Sequence, residues 1–379
     1  MELLSKKKKP LNEKESKKIL FYSLDAMDKI KAQFKMIIGE RSNGKSFAVL
    51  ERILSNYCKD GSQGAIIRRW DTDIKPMYAS TFFNGVVDAG LVTKYTNGLW
   101  TGIVFKVGKW YLSKWDDDLD KKVVDETPFA YAFALTTMEH NKSTSYPNIT
   151  TILFDEFLSR NGYLPDEFHL FTNTLSTIIR YRDNVQIYML GNTVNKTSPY
   201  FKEMGIKNID KLKQGEITIV EYGATNLKLA LEYCEPLNKE GKPSDVYFAF
   251  DNPKLKMITG GAWEMEIYPH CPCKYKYSDI RFTYFIIWED TILQCEIIKM
   301  DDTTFTFIHE KTTPLQDEKH DLIYCPEQSV LKNWCRKITV AKNAREQKVQ
   351  WYFKNDKVFY QDNEIGEIVR NYLQWCKQN

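Results

Sequence analysis

The sequence predicts an α/β protein whose first part is organised on a mostly parallel sheet and whose C-terminal part is a smaller α+β unit. Three observations carry this. The apolar run Phe34 to Ile38 leads into the loop Gly39-Glu40-Arg41-Ser42-Asn43-Gly44-Lys45-Ser46, and the apolar-periodic stretch Phe47 to Leu54 follows, which reads as strand, loop and helix. The near-continuous apolar runs Gly64 to Trp70, Asn148 to Phe157 and Val185 to Leu190 have the composition of strands buried on both faces. Beyond residue 280, three β-rich segments separated by acidic turns precede helical patterns.

Composition bounds the problem. A chain of 379 residues with 43% hydrophobic and 14% aromatic content is globular and long enough for two or three domains. No apolar run approaches the roughly 20 residues that span a bilayer, and Lys6-Lys7-Lys8-Lys9 lacks the apolar segment of a signal peptide. A soluble, cytoplasmic chain with no membrane partner is expected. Eight cysteines scattered over so long a chain read as reduced thiols rather than a disulfide framework. His270-Cys271-Pro272-Cys273 is the one tight cluster of soft ligands, and without a C-x-x-C pair elsewhere it reads as a loop with ordinary thiols. A net charge of +3 neither demands nor excludes nucleic acid, and the lysine run reads as a solvated tail.

Taken in order, Lys14 to Lys31 carries apolar residues at close to helical spacing. Phe21-Tyr22 follows within it, placing two rings before the first strand either to stack on a base or to pack in the core. The loop itself matches G-x-x-x-x-G-K-[ST], a phosphate-binding P-loop. Backbone N–H groups from Gly39 to Ser46 and the helix N-terminus surround phosphates, Lys45 reaches the outer ones, and the Ser46 hydroxyl ligates Mg²⁺. ATP and Mg²⁺ are therefore the expected cofactors. The second strand ends in Arg68-Arg69, at the sheet edge where ligands bind, so either phosphate or DNA contact or a structural salt bridge fits these two. Thr72 to Tyr95 reads as helical, and Gly98 to Trp115 as a β-hairpin about Val107-Gly108-Lys109. Asp116-Asp117-Asp118 with Asp120 reads as a solvated loop.

The run from Asn148 ends in Asp155-Glu156, a Walker B pattern. A buried strand delivers Asp155 to the metal beside Ser46, and Glu156 to the water that attacks the γ-phosphate. That glutamate places the domain in the additional-strand, catalytic-glutamate (ASCE) class of P-loop NTPases, apart from kinases that act on a hydroxyl. A helix is predicted from Glu167 to Arg182 and a strand from Val185 to Leu190, which puts Asn192 where a γ-phosphate sensor belongs. Arg180 and Arg182 suit either an arginine finger offered to a neighbouring subunit or surface pairing with Asp183 or Glu167.

These residues resemble the genome-packaging (encapsidation) ATPases of small, protein-primed, short-tailed phages of the Picovirinae type, compact relatives of large terminases. The resemblance rests on the P-loop, on Arg68-Arg69, and on Ser145-Tyr146-Pro147-Asn148 leading into Thr151 to Phe157. Arg180-Tyr181-Arg182, and Asn192 followed by Pro199-Tyr200-Phe201, complete it. It spans roughly residues 20 to 205. It implies a homo-oligomeric ring, of five subunits, docked on the portal of a procapsid in the host cytoplasm and driving double-stranded DNA inward with ATP hydrolysis. It implies that Arg180 rather than Arg182 is the finger acting in trans, and that Arg41 is a family feature, a nucleotide or neighbour sensor or a salt bridge. Some relatives place a structural RNA between ATPase and portal, which makes RNA a candidate partner.

Lys207 to Pro243 reads as a small lid or linker with a helical piece near Ala224 to Tyr233 and a turn at Asn238 to Pro243. Thr283 to Trp288, Ile292 to Met300 and Thr303 to His309 read as three antiparallel strands, followed by helices at Pro326 to Lys337 and Asn363 to Trp375. Three strands and then helices fit an RNase H-like domain, as the terminase relationship also implies. The expected division is 1–206 ATPase, 207–245 linker or lid, and 246–379 vestigial nuclease, since the strand Tyr284 to Trp288 carries no metal-binding acid. The leading reading is a DNA translocase. A helicase, a nuclease-active terminase and a nucleotide-gated assembly switch are the alternatives.

Overall fold

The computed structural model describes residues 21–137, 144–160, 162–207, 209–223, 225–235, 263, 266–301 and 303–378. Ten strands make the larger sheet: β1 (Phe34–Gly39), β2 (Gln63–Arg68), β3 (Gly102–Lys106), β4 (Lys109–Asp116), β5 (Lys121–Val124), β6 (Ala130–Ala134), β7 (Ile149–Asp155), β8 (Gln186–Asn192), β9 (Glu216–Tyr222) and β10 (Leu227–Tyr233). Their order is β3-β4-β6-β2-β7-β8-β1-β10-β9, with β5 paired to β4. Every neighbouring pair from β6 to β10 is parallel. Because β8 is inserted between the P-loop strand β1 and the Walker B strand β7, the sheet is of the ASCE type.

Alternating side chains bury both faces of this sheet, as parallel strands require. Ile37, Ile66 and Leu153 point to the face covered by helix α1 (Lys45–Asp60) through Val49, Leu50, Ile53 and Leu54. Met36, Ile67, Ile152 and Phe154 point to the face covered by helix α2 (Glu167–Ile179) through Phe171, Leu175 and Ile178. The register sets Gly39 beside Asn192 and Asp155 beside Leu190, so the P-loop and both polar strand ends share one edge.

The predicted hairpin forms as β3 and β4, turned at Val107 and Gly108, whose φ values of 47° and 73° suit a tight two-residue connection. Thr72 to Tyr95 is helical but broken into four pieces, Asp71–Ile74, Pro76–Ala79, Asn84–Asp88 and Leu91–Tyr95. Of Lys14 to Lys31, the described part is helical only over Asp25–Asp28, and residues 14–20 lie outside the described residues, as does the lysine run. The helical piece placed near Ala224 to Tyr233 is instead β10. A left-handed turn at Asn226 folds it against β9, and β1 offers an open parallel edge that Leu229 to Tyr233 complete. The larger sheet therefore runs past residue 206 to Tyr233, which removes the first part of the expected linker; the turn at 238–243 lies outside the described residues.

The second sheet holds β11 (Ile280–Trp288), β12 (Thr291–Met300), β13 (Thr303–Glu310), β14 (Leu322–Tyr324), β15 (Trp334–Cys335) and β16 (Val358–Tyr360) in the order β15-β14-β11-β12-β13-β16. The first three are antiparallel, as expected, and β14 and β15 continue in parallel beside β11, an RNase H-like arrangement. Helices α3 (Ala344–Lys354) and α4 (Asn363–Gln378) cover one face through Val349, Tyr352, Ile365, Val369 and Tyr372. The helix expected at Pro326 to Lys337 does not form. Trp334–Cys335 pair with Ile323–Tyr324 as strand, and the Arg336 guanidinium donates back to the Pro326 carbonyl at 2.8 Å, holding the segment as a loop. The His270 to Cys273 segment is likewise a loop, with the Cys271 thiol donating to the Cys273 carbonyl, and no cluster of three metal-ligating side chains occurs among the described residues.

Candidate nucleotide site

A cavity of about 430 Å³ at the shared strand edge is lined by Arg41 to Phe47, Asp155, Glu156, Leu190, Gly191 and Asn192. Ser42 and Gly44 both have positive φ, 61° and 92°, the kind of backbone that gathers N–H groups into an anion-binding concavity. Glycine is required at both ends of this loop. A Cβ at Gly44 would sit 3.2 Å from Cβ of Phe21, and one at Gly39 would sit 2.8 Å from Cβ of Cys234 on the segment after β10.

Lys45 is buried, and its Nζ donates to the Glu40 carbonyl at 2.6 Å and to Asn43 Oδ1 at 3.0 Å. Burial lowers its pKa, the mark of a cation held in a dry loop where an anion would restore it. Ser46 Oγ donates to Asp155 Oδ1 at 2.9 Å, which joins the P-loop to the Walker B strand directly. Burial pushes the Asp155 carboxyl above its usual range, against the opposing pull of Arg68 and Ser46.

The two arginines at the end of β2, Arg68 as its last residue and Arg69 just beyond, separate as strand alternation dictates. Arg68 donates from Nη1 to Asp155 Oδ2 at 2.9 Å and from Nη2 to Glu156 Oε2 at 2.7 Å, so it belongs to the site. Arg69 turns to the other face, where it is buried and pairs with Glu167 at 2.7 Å, with the Phe157 carbonyl accepting from its second nitrogen. Tyr200 donates to the same Glu167, so Glu167 is engaged here and not with Arg180 or Arg182. Glu156 itself lies at φ 59°, a left-handed conformation that costs a non-glycine residue about 1–3 kcal/mol.

Arg180 is not among the residues lining the cavity. It caps α2 with φ 43°, its Nη2 donates to the Thr144 carbonyl at 3.0 Å, and the next residue, Tyr181, is also left-handed with a fully exposed ring. Arg182 is spent locally, donating to the carbonyls of Tyr146, Pro147, Ile149, Ile178 and Ile179. Of the two rings before the P-loop, Tyr22 donates its hydroxyl to Glu232, while Phe21 stays exposed beside Gly44. Cys234, behind the loop, has its thiol pushed up to about 12 by burial and Glu232, in keeping with an inert thiol. Sequence reading left open what Arg68 does, and its signal was available in the strand period that separates it from Arg69.

A family model described as Podovirus DNA encapsidation protein (Gp16) matches residues 16–214. The DNA packaging protein of Bacillus phage B103 is 29% identical over 174 residues, 45% of this chain and 47% of that protein. The DNA packaging protein of Bacillus phage phi29 is 28% identical over 187 residues, 48% of this chain and 50% of that protein. The chain thus spans about half the length of these relatives in the matched regions. A chain of the bacteriophage Phi-29 viral genome packaging motor assembly shares the fold with a TM-score of 0.56 at 19% identity, covering 95% of this chain and all of that one.

Proposed function

The chain belongs to the Podovirus DNA encapsidation protein (Gp16) family, and on that premise we propose that it is an ATP-driven double-stranded DNA translocase that packages a viral genome into a procapsid. The observation that carries this reading is the meeting of P-loop, Asp155, Glu156 and Asn192 around one cavity. In this account Lys45 and the P-loop N–H groups hold the phosphates, Glu156 positions and deprotonates the attacking water, and Asn192 senses the γ-phosphate.

The donors at hand fit Mg²⁺. A hydroxyl and a carboxylate lie 2.9 Å apart at Ser46 and Asp155, and a buried carboxyl with a raised pKa is the group a dication stabilises. When bound with ATP, the ion neutralises charge on the transferring phosphoryl oxygens. Glu156 is paired with Arg68, so water activation requires that pair to open.

Arg180 acts on the site of a neighbouring copy in a ring of five seated at a portal, with or without a bridging RNA. Its reach away from its own cavity and its strained presentation support that role, while the five carbonyls holding Arg182 argue against Arg182. The RNase H-like sheet serves portal, nucleic-acid or subunit contacts without cutting DNA, since β11 bears no acid.

The test is the rate of ATP hydrolysis with and without double-stranded DNA. DNA should stimulate the wild type about tenfold or more, and steep salt dependence without sequence preference should follow from phosphate contacts. Strand displacement would point to a helicase, metal-dependent cleavage lost in Asp290 or Asp362 variants to an active nuclease, and hydrolysis indifferent to DNA to an assembly switch.

A further inference from the structure

Residues 193 to 195, immediately beyond the proposed sensor Asn192, touch three different parts of the molecule in succession. The Thr193 N–H donates to the Gly39 carbonyl at 3.2 Å, on the P-loop. The Val194 carbonyl accepts from Arg160 Nη1 at 2.9 Å, on the segment that follows Asp155 and Glu156. Asn195 then meets the C-terminal helix α4. Its Nδ2 donates to Asn371 Oδ1 at 3.0 Å, and Asn371 Nδ2 donates to Thr197 Oγ1 at 3.0 Å. Both residues are buried, at 8% and 7% exposure, so an amide left without its partner would carry a desolvation cost.

A second tie runs in parallel. Arg160 Nη2 pairs with Glu367 Oε1 of α4 at 2.7 Å, and Arg370 Nη2 donates to the Arg160 carbonyl at 2.8 Å. The Arg160 and Glu367 side chains are only 14% and 12% exposed. One helix of the second sheet thus grips, by directional bonds between poorly hydrated groups, both segments whose strands carry Asp155, Glu156 and Asn192. Simple adhesion between two domains would be served by apolar contact, which fixes neither loop; paired amides and an ion pair fix both in register.

We propose that Asn371 and Glu367 are positioning residues of the ATPase: they hold the segments after β7 and β8 in the hydrolysis-competent arrangement, and through them a change at the nucleotide moves the second sheet. The proposal rests on the translocase reading. It makes the C-terminal domain part of the hydrolytic machine, as well as a surface for portal or DNA.

The experiment measures kcat and KM for ATP, with and without double-stranded DNA, on the full chain. Asn371→Leu, which keeps the same branching and number of side-chain heavy atoms but makes no hydrogen bonds, should leave KM within about twofold and lower DNA-stimulated kcat about tenfold, with the stimulation ratio falling toward one. Asn195→Leu combined with Asn371→Leu should lose less than the product of the two single losses, because both break the Asn195–Asn371 pair. Glu367→Gln, which keeps an acceptor for Arg160 and the Glu266 N–H, should lose about threefold and serves as the folded reference if Asn371→Leu proves unstable. A lowered melting temperature with wild-type kcat and stimulation ratio in Asn371→Leu, or an unchanged ratio in Glu367→Gln, overturns the proposal. A wild type indifferent to DNA defeats the translocase reading instead, and kcat alone then judges the positioning role.

Discussion

The two sheets of this molecule treat their carboxylates in opposite ways. In the larger one, parallel strands end together, and β7 carries Asp155 and Glu156 out of the core to an edge that Lys45, Ser46 and Arg68 also reach. In the smaller one, Glu296 sits in the middle of β12, where Tyr275 and Gln294 donate to its two oxygens at 2.7 Å and His309 lies 3.6 Å away. The first arrangement pairs its carboxylates, with Ser46 and Arg68, at the rim of a cavity; the second pairs Glu296 within the strands of the fold. A strand end next to a glycine-rich loop makes chemistry available, whereas a strand middle beside hydrogen-bonding neighbours makes structure.

The largest expected effect tests that contrast. Glu156→Gln should lower ATP hydrolysis at least about 100-fold with stability unchanged within about 0.5 kcal/mol, because Glu156 is half-exposed and acts on water. Glu296→Gln should leave hydrolysis at the wild-type rate. Equal losses in the two variants, by steady-state kinetics on purified protein, would break the comparison.

Next in size is Glu167→Ala. It strands the buried Arg69 guanidinium and the Tyr200 hydroxyl, and removing one partner of a buried pair costs about 3–5 kcal/mol. Urea unfolding should show that loss. A cost near 0.5 kcal/mol would mean that Arg69 finds water, and that the turn of Arg69 away from the site is not fixed by this pair.

The smallest effect is pH-dependent and belongs to the second sheet. The Glu296 carboxylate 3.6 Å away raises the His309 pKa, so its contribution is fully present below about pH 6.5 and is lost as pH rises through the folded value. Burial works against it, but the neighbouring His309 imidazole and the bonds from Tyr275 and Gln294 hold the Glu296 carboxyl below its usual range, so its contribution is present above about pH 4.5 and is lost as pH falls through the folded value. The stability gap between wild type and Glu296→Gln should therefore be widest near pH 5–6 and narrow toward pH 9, by about 1 kcal/mol or less. A gap that widens with pH would contradict this.

How much of this was legible in the sequence depends on how local each signal is. Gly39 to Ser46 and Asp155-Glu156 were readable because the chemistry and the strand that presents it are contiguous. Arg68 and Arg69 were indistinguishable as a pair until the pleat sent them to opposite faces. β10 was misread because Leu227 to Tyr233 is made a strand by its partners, β9 across the turn at Asn226 and β1 from far along the chain. The helix at Ala344–Lys354 was missed although Asn343 and Glu346 form its cap, with Asn343 Oδ1 accepting from the Glu346 N–H at 3.0 Å. Its core contribution rests on few residues, Val349 and Tyr352 among them, and an apolar stripe that thin gives little periodicity to read.

The central claim is that the nucleotide site of one chain is finished by Arg180 of another. Mixing Glu156→Gln with Arg180→Ala, each inactive alone, tests it most directly through DNA-stimulated ATP hydrolysis. Random mixed rings should recover about a quarter of wild-type activity, since that fraction of sites has an intact glutamate facing an intact arginine. A mixture as inactive as its components, or an Arg180→Ala protein that hydrolyses ATP at the wild-type rate, would contradict it.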